Sequence, residues 1–451
     1  MNFVRIGDIL RSKNSRNTML RNNILLSAIM KVMGLATSFL IVPITLDFLD
    51  NEQYGVWMTL TSILLWFAFF DVGLGNGMRN YLAQAIAQED YAKGRTYLTT
   101  TLVMLTAIAM VLAILFVTFI MAADLKAVFN TTQLTTKQLR LPVLVAIVMT
   151  LINFVTKNIG VVYIALQKYA VNDLITISAS VVGLIAVFVL TKTIPPGNLT
   201  AIVLVFTVLP VIAFLTAGIP LFRRYPQLRP SRGDFDWHIG KQLLGKGMGF
   251  FFIQITSCLI IFGGSNLFIT QFAGPEAVTT YNIAYKYFNQ LAIAYTIVVS
   301  PMWNAYTEAA VKGDYVWIKS NFRRSLAIWA LMLSGGLFML LVAHLFFQFW
   351  VGNAVTVPFS VSLSVLCYIT FFNLNNCVTM LINGLNKISV QIVTSVIATA
   401  AFLVAVMILG PKLGIEGVVG CMAASYAAMA AVHLYQCHLL IHQKATGIWN
   451  R

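Results

Sequence analysis

Five ionisable side chains fall well inside long apolar stretches: Lys31, Asp71, Arg79, Lys157 and Lys286. A charge at mid-bilayer costs roughly 2.5–3.5 kcal/mol on insertion scales. Such a group therefore faces a cavity or a partner, or it snorkels to the interface from near a span end. Lys286 lies deepest, about 8 residues or roughly 12 Å from the outer edge of its span. Asn282, Lys286 and Asn289 share one helical face at i, i+4 and i+7, with Tyr285 and Gln290 beside them. Lys157 follows Asn153 by one helical turn. Lys31 and Arg79 lie nearer the cytoplasmic ends of their spans, where snorkelling and function both remain open. Asp71 is the one acid of the set. It is either the structural partner of Lys31 or another base, or a protonatable coupling site. A second polar stripe runs through Asn373, Asn376, Asn383 and Lys387, as interhelical glue or as substrate contacts. Four bases against one acid favour an anionic cargo over a cationic one.

The elements that must position these residues follow from composition. Of the 451 residues 59% are hydrophobic and 10% are charged, against about 25% charged in soluble domains. About 20 apolar residues span a bilayer as a helix. Twelve such cores can be drawn, at about 24–46, 54–85, 97–121, 141–165, 171–191, 200–221, 243–271, 278–308, 325–348, 359–384, 388–410 and 415–440. The fold class is therefore all-α, a polytopic membrane protein. The net charge of +15 belongs to its loops and not to a nucleic-acid site. Lys93, Arg95, Lys168, Arg223, Arg224, Arg229, Arg232, Lys312, Lys319, Arg323, Arg324 and Lys387 fall in alternate loops. The intervening loops hold few bases, and the first is acidic through Asp47, Asp50 and Glu52. This bias places both termini in the cytoplasm.

The two halves look alike. Phe48, Glu52, Ala68, Asn80, Ala85, Asp90 and Tyr91 recur at one constant offset as Phe272, Glu276, Ala292, Asn304, Ala309, Asp314 and Tyr315. "ALQK" (Ala165–Lys168) answers "GLNK" (Gly384–Lys387), which pairs Lys157 with Asn376. Both halves start inside, so they read as parallel repeats, the arrangement in which transporters place a site between halves. The division is an N-terminal six-helix lobe over 1–222, a cytoplasmic linker over 223–241 and a C-terminal six-helix lobe over 242–451.

Other motifs carry less. "FFDVGLGNGMRN" (Phe69–Asn80) is not GxGxxG, because Met78 stands at the third glycine and no strand precedes it. Its glycines mark a place where an overlong second span bends or lets a helix approach. "DFD" (Asp234–Asp236) sits in a short loop without a nucleotide-binding domain. Cys258, Cys367, Cys377, Cys421 and Cys437 read as small buried hydrophobes, and His344 and His433 as packed and hydrogen-bonded. No catalytic set, metal cluster or cofactor motif stands out. The short loops also argue against an integral-membrane glycan polymerase or ligase.

Twelve spans in parallel halves, "FDVGLGNGMRN" after "NEQYGVW", and "GPEAVTTYNIAYKYF" (Gly274–Phe288) resemble the Wzx-type polysaccharide-transport family. These are flippases for lipid-linked oligosaccharides within the MOP superfamily. The resemblance covers nearly the whole chain. It implies two six-helix bundles working by alternating access. It implies a cargo of sugars linked by diphosphate to undecaprenol, as in O-antigen, capsule or exopolysaccharide repeat units. It also implies the bacterial inner membrane, no enzyme activity, and a polysaccharide polymerase and glycosyltransferases as candidate partners. It implies a cation-rich cavity lined by the spans that here supply Lys31, Asp71, Arg79, Lys157, Lys286 and the Asn373–Asn383 stripe. Physical chemistry agrees, since a diphosphate leaving water needs cationic partners. Lysine releases such a group more readily than bidentate arginine. Asn, Gln and Tyr both donate to and accept from sugar hydroxyls. The alternative is a drug or cation antiporter of the related multidrug (MATE) branch, which calls for acidic groups in the cavity.

Overall fold

The structure is a computed structural model that describes residues 15–71, 74–244 and 263–450. The described chain is helical, with short 3₁₀ turns and no strand. The first half contributes α1 (Ser15–Phe48), α2 (Asn51–Trp66), α3 (Leu74–Ala87), α4 (Tyr91–Ala122), the short α5 (Leu125–Phe129), α6 (Thr136–Thr156), α7 (Asn158–Ala165), α8 (Tyr169–Thr193) and α9 (Leu199–Arg224). The second contributes α10 (Ser265–Ala273), α11 (Pro275–Val299), α12 (Met302–Val311), α13 (Tyr315–Val351), α14 (Phe359–Gly384) and α15 (Ser389–Ile441). Seven of the described helical stretches are long and apolar enough to cross a membrane by themselves. α15 has 53 residues, roughly 80 Å against a hydrocarbon core of about 30 Å. It breaks at Gly414 (φ 57°), just after Pro411, and so supplies two crossings. Along α13, Leu331, Phe338, Leu341, Leu345 and Phe349 stand exposed, as side chains facing lipid do.

The chain forms two compact units. The first holds Met1–Asp50, Leu64–Lys126 and Leu134–Phe251. In it α1 packs on α8, α9 on α6 and α8, and α3 on α4 and α7. Met78, Leu82, Leu98, Val162, Leu221 and Leu228 are among its buried core residues. The second unit holds Asn51–Ile63, Ala127–Gln133 and Phe252–Arg451. Here α14 is central, touching α11, α12, α13 and α15, while α10 lies on α15 and α11. Its core gathers Tyr295, Tyr306, Ile318, Val378, Leu381 and Ile382.

Backbone detail is alike at positions that the sequence pairs. Asp90 caps α4 by accepting the Lys93 N–H at 3.0 Å, and its repeat mate Asp314 caps α13 by accepting the Trp317 N–H at 2.9 Å. The preceding residues, Glu89 and Gly313, both have positive φ (59° and 70°). Gln167 and Asn386, equivalent in "ALQK" and "GLNK", do the same at 60° and 57°.

Three spans are not the continuous helices that the apolar runs suggest. The second span breaks into α2, a 3₁₀ turn over Phe67–Asp71, and α3. Its counterpart breaks at Ser300–Pro301, where proline removes a helix donor. The fourth span breaks at Lys157, between α6 and α7.

Candidate transport site

In the first unit, two of these helix breaks meet. Asp71 ends the 3₁₀ turn, and its Oδ1 accepts the Gly75 N–H at 2.9 Å, at the start of α3. A helix N-terminus favours negative charge. Lys157 is the single residue separating α6 from α7. Its ammonium lies 5.0 Å from the centre of the Phe154 ring, a cation–π contact, and within electrostatic reach of Asp71. No ion pair within 4.0 Å joins Asp71 to a described base. Next to Lys157 stands Asn158, fully buried, which sequence reasoning missed. Its Nδ2 donates to the carbonyls of Phe154 (3.2 Å) and Val155 (3.1 Å), at the helix end where carbonyls lack intrahelical partners. A polar residue following an intramembrane lysine was the available signal. The Lys31 side chain lies outside the described residues.

Arg79, on α3, is half-buried and lines an open polar recess with Asn80 and Gln167, between α3 and the α7–α8 turn. Asp71 and Arg79 do not share one helix, since Asp71 ends the 3₁₀ turn and Arg79 lies on α3. The Asp234–Asp236 stretch is structural. Asp234 pairs with Arg95 at 2.8 Å, and Asp236 accepts the His238 N–H at 2.7 Å.

The second unit carries the other polar stripe. Lys286 is half-buried on α11, and no described carboxylate lies within 4.0 Å of it. Asn289, a turn further on, is also half-buried. Asn282 is engaged elsewhere. Its Nδ2 donates to Asn266 Oδ1 (3.0 Å) and to the Val278 carbonyl (2.8 Å). Asn266 in turn donates to Ser62 Oγ at 2.6 Å, so this chain of amides ties α11 to α10 and α2. Asn376 on α14 is half-buried, and Asn373 is buried with an unpaired Oδ1. His433 is buried, with its ring nitrogens 2.8 Å from Thr394 Oγ1 and 2.9 Å from Asn375 Oδ1, packed and bonded as its apolar span predicts. His344 is exposed, with Gln348 at 3.1 Å. Cys377, Cys421 and Cys437 are buried free thiols, and Cys258 lies outside the described residues.

Broken spans, intramembrane charges at the breaks and a duplicated all-α architecture define a polytopic membrane protein of transporter fold. The chain belongs to the family described as "Polysaccharide biosynthesis protein", whose pattern matches residues 20–303. It is 21% identical over 320 residues to a protein of Salmonella typhi named "Putative O-antigen transporter", covering 70% of each chain. It is 22% identical over 288 residues to a "Putative O-antigen export protein" of Yersinia pseudotuberculosis, covering 62% of this chain and 64% of that one. Among solved structures it is similar to an inward-facing multidrug-resistance MATE transporter of the MOP superfamily. The TM-score is 0.71 at 13% identity, over 93% of this chain and 98% of that one. A MOP-superfamily transporter from Pyrococcus furiosus, described as having reverse polarity of its binding pocket, matches at TM-score 0.54 and 12% identity, over 99% and 100%.

Proposed function

We propose that this protein moves an undecaprenyl-diphosphate-linked oligosaccharide across the bacterial inner membrane by alternating access. Its termini and the 223–241 linker lie in the cytoplasm, and its six-helix lobes, 1–222 and 242–451, carry the repeats. The observation that carries this reading is Lys286, a cation well inside an apolar span with no described acid within 4.0 Å. An anionic cargo group entering the cavity repays the cost of holding it there. Arg79, Lys157 and Lys31 extend the positive lining, and Asn289 and Asn376 face the sugars. Family membership and the names of the relatives support a glycan cargo. A drug or cation antiporter is supported by the fold alone, and the apolar stretches set one acid, Asp71, against four bases.

The test is leaflet exchange of defined polyprenyl-diphosphate sugars in proteoliposomes, with export in cells lacking the native protein. Lys286→Glu at normal protein levels should lower exchange by about tenfold or more, equivalent to at least about 1.4 kcal/mol of lost cargo stabilisation, while Lys286→Arg keeps part of it. Unimpaired exchange by Lys286→Glu removes Lys286 from the mechanism. Exchange of cationic drugs in place of glycan replaces the reading with the antiporter.

A further inference from the structure

We propose that Asp71 and Asn158 hold a sodium ion where the two helix breaks of the first unit meet. Both contacts of Asn158 Nδ2 are carbonyl oxygens, which fixes which end of the amide carries the nitrogen. Asn158 Oδ1 therefore points the other way, and it is buried without a hydrogen-bond donor. A methyl group placed on Gly75 would lie 3.2 Å from this oxygen and 2.8 Å from Asp71 Oδ2. Two acceptor oxygens thus bear on one small volume beside a glycine. One is formally charged, and the other belongs to a side chain with no access to water. An unpaired buried acceptor is destabilising, and a cation between the oxygens removes that cost.

The donor set chooses the ion. Carboxylate and amide oxygens are hard ligands, suited to alkali and alkaline-earth cations and not to soft metals. One carboxylate with one neutral carbonyl balances a single positive charge. Among the described residues no three of His, Cys, Asp and Glu gather as a transition-metal site would gather them. Glycine is needed at position 75 because any side chain there fills the space between the oxygens.

Lys157 links this site to transport. Its ammonium rests on Phe154, within electrostatic reach of Asp71. Sodium and Lys157 therefore compete for one carboxylate. Sodium on Asp71 leaves the lysine charge for an anionic cargo, and loss of sodium leaves the Asp71 carboxylate to attract it. This link rests on the proposed function, whereas the sodium site does not.

The test uses the purified full chain in detergent, with radioactive sodium binding and thermal stability measured at constant ionic strength against choline. Wild type should bind sodium saturably and gain stability with it. Asp71→Asn, Asn158→Ala and Gly75→Ala should each weaken binding by about tenfold or more. Gly75→Ala is the most direct, because both oxygens remain and only the space between them is filled. Lys157→Ala removes the competing charge and should bind sodium more tightly. Where Asn158→Ala does not fold, Asn158→Asp keeps the oxygen, adds charge and should also bind more tightly. Absence of saturable binding in wild type, or unchanged binding in folded Gly75→Ala and Asn158→Ala, overturns the proposal. So does stabilisation that follows pH and ignores sodium, which would make the partner a proton. No glycan enters this assay, so its failure leaves the flippase reading standing, and failed glycan exchange leaves the sodium site standing.

Discussion

Glu52 shows what a single residue can hold. Charge counting puts it in an acidic outer loop, just ahead of the apolar core of its span. In the structure it is only 4% exposed and accepts four hydrogen bonds. The Thr131 hydroxyl and the backbone N–H groups of Thr132 (2.6 Å) and Gln133 (3.0 Å) reach Oε1, and the Thr132 hydroxyl reaches Oε2 (2.9 Å). Burial pushes its carboxyl up, but the bonds from Gln133, Thr131 and Thr132 outweigh burial and hold it below its ordinary 4.5. A carboxyl lowered by folding contributes stability that is full above about pH 4.5 and is lost as pH falls through the lower folded value. Glu52→Gln turns an amide N–H₂ toward donors, which should cost about 2–4 kcal/mol near neutral pH. Thermal unfolding in detergent across pH 3–7 (roughly the range that protonates the group) checks both points. The variant should start lower and lose less on the acid side. The sequence shows the carboxylate but not its partners, which lie 79 to 81 residues away and are brought to it by tertiary structure.

Elements are held by close approaches as much as by hydrogen bonds. α2 and α11 begin against one another in the second unit, where a methyl on Gly55 would lie 1.7 Å from the Pro275 carbonyl oxygen. The approach lets Thr279 Oγ1 donate to the Asn51 carbonyl at 2.6 Å and places the Thr59 and Thr270 hydroxyls 2.6 Å apart. Backbone cannot yield as a flexible side chain can, so Gly55→Ala must separate the two helices. It should cost about 3 kcal/mol or more, read as a fall in unfolding temperature. Gly335→Ala is the control. Nothing lies within 4 Å of its added methyl, and alanine suits a helix better, so it should be neutral or gain up to about 1 kcal/mol. Hydropathy located the spans among the described residues because burial in lipid needs only length and apolarity, while most of the 243–271 core lies outside the described residues. The glycines of Phe69–Asn80, and not hydropathy, marked the bend of the second span at Phe67–Asp71, and nothing in an apolar average marked the break at Lys157, since both depend on side chains standing in for lost helix bonds. Asp71 holds the Gly75 N–H, and Asn158 holds the carbonyls of Phe154 and Val155. Neither bond leaves a mark on an apolar average. Lys157 was legible as a cation out of place, and Asn158, neutral and adjacent, was not.

For the whole molecule, charge and repetition have to agree. The net charge of +15 is not spread evenly along the chain. The 222–241 segment between the halves carries Arg223, Arg224, Arg229, Arg232 and Lys241, whereas the 194–198 loop before α9 carries no charge. Loops rich in Lys and Arg stay in the cytoplasm. The duplicated caps at Asp90 and Asp314 add an independent constraint, because equivalent turns in parallel repeats must lie on the same side. The loops around Lys93 and Lys312 should then share the face of the 222–241 segment, with the 194–198 loop opposite. Alkaline phosphatase folds only outside the cytoplasm and green fluorescent protein only within it. Insertions after residues 92, 231 and 312 should therefore give fluorescence without phosphatase activity, and an insertion after residue 196 the reverse. Opposite signals at residues 92 and 312 would mean inverted repeats. That result would undo the parallel pairing of Lys157 with Asn376, and with it the repeat argument for placing Asn376 in the cavity.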